Sequence, residues 1–233
     1  MIVATLFTFW TPANLFSGQL LDTMLLALED TPIPETISTQ VPNTSNKRVG
    51  IVSGHWKDND GAVCIDGLTE EWLNLRIATL VMQNLVKEGY EVDLFAEFDD
   101  SLVQYDAMAL ISIHNDTCDY LGNDATGFKV APALGNSYPE VVNQLTSCMI
   151  ERYRTITGLR FQQNKLTPHM TSYHTFNEVH SSTPVIVIET GYMNLDRQIL
   201  TENTELIAYG VTEGVLCFLQ NEIEQPEETT PVQ

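Results

Sequence analysis

Three short runs of aliphatic, largely β-branched residues recur along this chain, and each stops on a side chain that can bind a metal. Val49-Gly50-Ile51-Val52-Ser53-Gly54 leads into His55, Ala107-Met108-Ala109-Leu110-Ile111-Ser112-Ile113 into His114, and Val185-Ile186-Val187-Ile188 into Glu189. Continuous apolar runs of this length, without polar alternation, are the mark of strands buried on both faces. Such strands belong to open, mostly parallel sheets, whose ligands sit beyond the carboxyl ends of the strands. Groups of one chemical type delivered to that edge therefore make a candidate site.

The stretches between the runs have helical period. Thr69 is placed to cap a helix, with Glu70 and Glu71 in a first turn where acids complement the dipole. Leu73, Ile77, Leu80, Val81 and Leu85 then recur on one face up to Gly89, a natural stop. Tyr90 to Phe95 alternates as a second strand, and Thr126 to Ala131 reads as a further strand at an edge. Val141 to Ile156 reads as a helix, and so does Glu205 to Gln220, with Ile207, Val211, Val215 and Phe218 on one face. Leu159 to Thr183 is polar and aromatic without a clean helical period and reads as a loop lining a cleft. Strand and helix alternate, so the fold class is α/β: a single domain with a mostly parallel β-sheet and helices on both faces.

The ends differ from this middle. Residues 1–46 hold apolar segments, no Lys or Arg, and then a Pro/Thr-rich linker containing Pro32, Pro34 and Pro42. The first apolar run is about half of what a membrane span needs, and no positive n-region precedes it. It reads equally as the stub of an anchor or as an arm that packs on a partner or on the domain. The domain proper is expected over 47–221, and 222–233 as an acidic disordered tail. The 31 acidic residues against 11 basic ones give a formal net charge of −20, which disfavours nucleic acid and anionic lipid as partners. Cys64, Cys118, Cys148 and Cys217 lack CxxC spacing. Cys64 and Cys118 fall near neighbouring strand ends, while Cys148 and Cys217 fall in helices. Two disulfides are expected if the protein is exported, and buried free thiols are an equal alternative.

Zinc takes imidazole nitrogen and carboxylate oxygen, and a hydrolytic zinc keeps three protein ligands and one open position. His55, Glu70 and His114 fit the ligand roles, and Glu189 fits a general base beside them. Taken singly, each has a blander reading: a strand-end His meeting solvent, or a first-turn Glu facing the helix dipole. Glu189 shifts the balance, because an acid directly after a fully apolar strand is costly unless it is paired or near a metal.

The same residues carry a family resemblance. Gly54-His55, Gly61-Ala62, Gly67-Leu68-Thr69-Glu70, Asn74-Leu75 and Ile77-Ala78 resemble the opening of the zinc-dependent N-acetylmuramoyl-L-alanine amidases. Ser112-Ile113-His114-Asn115 resembles that family's second histidine motif. Glu189-Thr190-Gly191-Tyr192, with Asn194, Asp196 and Leu200, resembles its glutamate motif. The resemblance spans roughly 48–220. It implies zinc on His55, Glu70 and His114 and a catalytic Glu189. Glu70 is the ligand in preference to Glu71 because it stands four residues before Asn74. The resemblance also implies an autolysin-type hydrolase cleaving the amide between N-acetylmuramic acid and L-alanine of peptidoglycan, outside the cytoplasmic membrane.

The chain departs from the family pattern in places. Trp56 and Lys57 stand where glycines are usual, and Asp116 where a small residue is usual. His169, His174 and His180 lie in a stretch with little likeness to the family. Asn115 and His174 are the expected substrate-side residues. Two other functions compete: a related zinc amidohydrolase acting on another acyl-amino acid, and a non-catalytic wall-binding module. Four intact site residues argue against the second.

Overall fold

The apolar runs do become the centre of the sheet. A computed structural model describes residues 47–133, 138–166, 170 and 173–220, all within the unit spanning 41–233. The sheet comprises β1 (Arg48–Ser53), β2 (Glu91–Phe95), β3 (Ala109–Asp116), β4 (Lys129–Pro132) and β5 (Val185–Tyr192), in the order β2-β1-β3-β5-β4. β1 pairs in parallel with β2 and β3, and β3 with β5, while β4 lies antiparallel at the edge beside β5. The expected edge strand thus exists, but it starts at Lys129 and not at Thr126. Gly127 has φ +105, and a Cβ there would meet the Arg160 carbonyl oxygen at 2.1 Å, so the chain is still turning at that point.

Register sorts the strand side chains onto two faces. Val49, Ile51, Ile111, Ile113, Ile186 and Ile188 pack with the long helices α1 (Glu70–Lys87), α2 (Pro139–Thr157) and α5 (Thr204–Leu219). Val52, Leu110 and Val185 face Leu102, Tyr105 and Val179 on the other side. There the cover is a 3-10 turn at Asp100–Leu102 and a one-turn helix α3 (Thr175–Glu178), joined by Met170 and Tyr173 against Ala131 and Val187. Helices therefore lie on both faces as expected, the long ones all on one. A short helix α4 (Arg197–Glu202), too brief to show a period in the sequence, bridges β5 and α5.

Thr69 does cap α1: its Oγ1 accepts the Trp72 N–H at 3.2 Å, and Gly89 with φ +85 closes the far end. α2 and α5 pack closely because α5 carries Gly214 at the crossing, where a Cβ would stand 2.9 Å from the Met149 Cα. The Cys148–Cys217 disulfide ties the same two helices. Cys64 and Cys118 are also bonded. The free-thiol alternative is overturned: no free cysteine is present among the described residues, because a loop-to-loop approach in one pair and a helix-to-helix contact in the other bring the Cα atoms within 5.3 and 5.6 Å. No helix among the described residues is long and apolar enough to cross a membrane. Residues 1–46, 222–233 and His169 lie outside the described residues, so the expectations placed on them gain nothing here.

Candidate metal centre and active site

His55 follows β1 in a left-handed conformation, φ +65, which turns its ring back over the sheet edge. Glu70 opens α1, and His114 lies near the end of β3. His55 Nε2 and His114 Nδ1 each lie 3.3 Å from Glu70 Oε1. One donor atom from each residue thus falls within a 4.8 Å cluster. Ligand atoms on a tetrahedron with zinc-type bonds of 2.0–2.1 Å are about 3.3–3.4 Å apart, so the donor set and the two spacings to Glu70 fit such an ion. The cradle is shaped around it. A Cβ on Gly54 would lie 2.3 Å from the His114 ring, and one on Gly61 2.7 Å from Glu70 Oε2.

Each donor is held from behind. His55 Nδ1 faces Asn59 Oδ1 at 2.8 Å, leaving Nε2 for the cluster. Glu70 Oε2 accepts the Ala62 N–H, and Oε1 accepts from the Asn74 amide and the Asn115 N–H. Burial opposes charge on His55, but the hydrogen bond and charge of Glu70 outweigh it and push the imidazole up to about 9. Burial would raise the Glu70 carboxyl, yet the two histidines hold it well below the usual range. A carboxylate held low between two imidazoles that it pushes up is what a cation site looks like when protons take the cation's place.

Glu189 is the cross-strand neighbour of His114 on β5. Its Oε2 is buried and has no hydrogen-bond partner among the described residues. Burial pushes its pKa up to about 7, with His114 pulling the other way and Glu70 adding to the rise. On its other side, Glu189 is in register with the buried Lys129, which pairs with Asp116. The unusual Asp116 thus has a partner of its own.

A family model described as N-acetylmuramoyl-L-alanine amidase matches residues 49–217. The chain belongs to that family. Solved structures agree in fold. An N-acetylmuramoyl-L-alanine amidase from Clostridium difficile 630 superposes with TM-score 0.60 at 20% identity, covering 76% of this chain and 98% of that one. AmiC2 of Nostoc punctiforme gives 0.56 at 24%, covering 74% and 97%, and Ami1 from Mycobacterium smegmatis gives 0.59 at 20%, covering 75% and 97%. No curated protein sequence matches the chain.

In this amidase the expected substrate-side residues are placed differently from one another. Asn115 is buried, donating to Asn74 Oδ1 at 2.7 Å and accepting from Thr190 at 2.6 Å. These bonds tie its side chain to α1 and β5. His174 remains partly exposed, stacked on Phe98 with ring centroids 4.2 Å apart. Trp56 and Lys57, with Asp58, Phe98 and Asp99, help line a cavity of about 440 Å³ on the flank of His55. One residue the sequence did not flag is Glu97, which lies two residues past β2 and is 4% exposed. Polar Glu91 and Asp93 broke the run before it, so it did not read as a strand-end acid.

Proposed function

We propose that His55, Glu70 and His114 hold a zinc ion and that Glu189 is the catalytic base of this amidase. The enzyme hydrolyses the amide between N-acetylmuramic acid and L-alanine in peptidoglycan. The observation that carries the assignment is the Glu189 carboxylate: its Oε2 is buried with no hydrogen-bond partner among the described residues, and the residue is in register with His114. A buried acid in that state is costly unless it has chemistry to perform. Zinc in this cradle would supply Lewis-acid polarisation of the scissile carbonyl and of the attacking water. Glu189 takes the proton from that water and delivers it to the departing amine of L-alanine. Burial raises this carboxyl above the ordinary carboxylate range, which suits a group that must both take and return a proton. Asn115, Asn74 and Thr190 keep the strand ends in place while this happens.

Peptidoglycan lies outside the cytoplasmic membrane, and two disulfides suit an oxidising compartment. We therefore assign the protein an extracytoplasmic location, with 47–221 as the catalytic domain. His174, beside the cavity flanking His55, is the substrate-side residue in this reading. The test combines metal analysis with digestion of purified peptidoglycan. One zinc per chain and new amino-terminal L-alanine are expected. Release of another amino acid or sugar end, or full activity in metal-free protein, would contradict the assignment.

A further inference from the structure

We propose that Glu97 is a positioning residue that sets both histidine ligands, His55 through its backbone and His114 through the ring nitrogen turned away from the cluster. This inference rests on the reading of His55 and His114 as ligands.

A carboxylate as buried as Glu97 must be compensated, and its partners are all parts of the site or its wall. Oε2 accepts the backbone N–H of His55, while the Glu97 backbone N–H donates to the Trp56 carbonyl at 3.3 Å. Main chain and side chain thus clamp the same turn. That turn needs a clamp: His55 and Lys57 both adopt left-handed φ, +65 and +63, without being glycine, a conformation that side chains with a Cβ disfavour. Holding the His55 N–H fixes the direction in which its ring leaves the strand.

The second reach is to His114. Its Nδ1 faces Glu70, whereas its Nε2 lies 3.7 Å from Glu97 Oε2 and 3.5 Å from the Tyr173 hydroxyl. That hydroxyl donates to Glu97 Oε1 at 2.7 Å and accepts from Ser112 Oγ at 3.0 Å. His174 Nε2, at 3.2 Å, completes the shell of Oε1. A carboxylate behind a ligand histidine favours the tautomer with the proton on the far nitrogen, and it makes the near nitrogen a better donor. β2 brings no ligand of its own, so this is how its end contributes to the site.

The experiment measures zinc affinity of the full chain by chelator competition, with the visible spectrum of the Co2+-substituted protein beside it. Glu97→Gln keeps the shape and removes the charge. It is expected to weaken zinc binding about 10–100-fold and to alter the Co2+ bands, at a temperature where the metal-free variant is folded. Affinity within twofold of the parent with an unchanged Co2+ spectrum would overturn the proposal, even if the variant melts earlier. Should Glu97→Gln not fold, Tyr173→Phe removes the hydroxyl that links Glu97 to His114. A shifted Co2+ spectrum with several-fold weaker zinc supports the proposal, and no change in either overturns it. The ligand reading fails separately: it falls if the parent binds no zinc, or if His114→Ala binds zinc as tightly as the parent.

Discussion

At the residue scale the site is defined as much by missing side chains as by those present. Gly54 lets the His114 ring lie against the backbone of β1, where a Cβ would overlap it at 2.3–2.5 Å. The His114 ring is buried and meets the His55 and Tyr173 rings edge-on, so it has little room to yield within the cluster. Gly54→Ala is therefore expected to strip most of the metal and to cost about 1–3 kcal/mol of stability, read by zinc content and by melting of the metal-free form. Full zinc retention would show that the ring has room to move. Proton competition offers a second test. In the metal-free site His55 stays protonated up to about pH 9, because Glu70 more than offsets its burial. Metal must displace that proton, so apparent zinc affinity should climb about tenfold per pH unit for each proton displaced. The climb should run from pH 6 and flatten above about pH 9. Glu70, held well below the usual carboxylate range, does not titrate in that window. A flat profile between pH 6 and 9 would contradict the charge state assigned to the site.

At the scale of elements, the carboxyl ends of three parallel strands and the first turn of one helix deliver the four residues. This much was legible in the sequence, because β1, β3 and β5 are continuous apolar runs and α1 has both a cap and a stop. Glu97 was not legible, since it lies two residues past a half-buried, alternating β2 and no continuous apolar run leads into it. α4 escaped for another reason: six residues are less than two turns and leave no period to detect. Disulfide pairing also depends on three-dimensional neighbours that spacing does not reveal. The two bonds have different work. Cys64–Cys118 joins the loop between His55 and Glu70 to the segment after His114, whereas Cys148–Cys217 joins α2 to α5 away from the ligands. Removing either by paired Cys→Ser changes is expected to cost about 2–4 kcal/mol. Only the Cys64/Cys118 pair should also weaken zinc binding. Equal zinc affinity in both double variants would sink the idea that the first bond braces the site.

For the whole molecule, the helix-backed side of the sheet supplies stability and the strand ends supply chemistry. α1, α2 and α5 bury the larger core and leave the carboxyl edge free to carry polar groups. Along that edge His114, Glu189 and Lys129 stand in register on three adjacent strands, so an acid is flanked by a metal-ligand candidate and a paired ammonium. The acidic surface, formally −20 over the chain, plays no part in this arrangement and acts on which polymers the protein approaches. The central claim is that Glu189 moves protons beside a zinc that other residues hold. Glu189→Gln tests it most directly, because the change is nearly isosteric and leaves His55, Glu70 and His114 untouched. Zinc content and the rate of amino-terminal L-alanine release from peptidoglycan are measured on the same preparation. The account predicts one zinc per chain and a rate lower by about 100- to 10,000-fold. A zinc-loaded Glu189→Gln protein that releases L-alanine at close to the parent rate would contradict it.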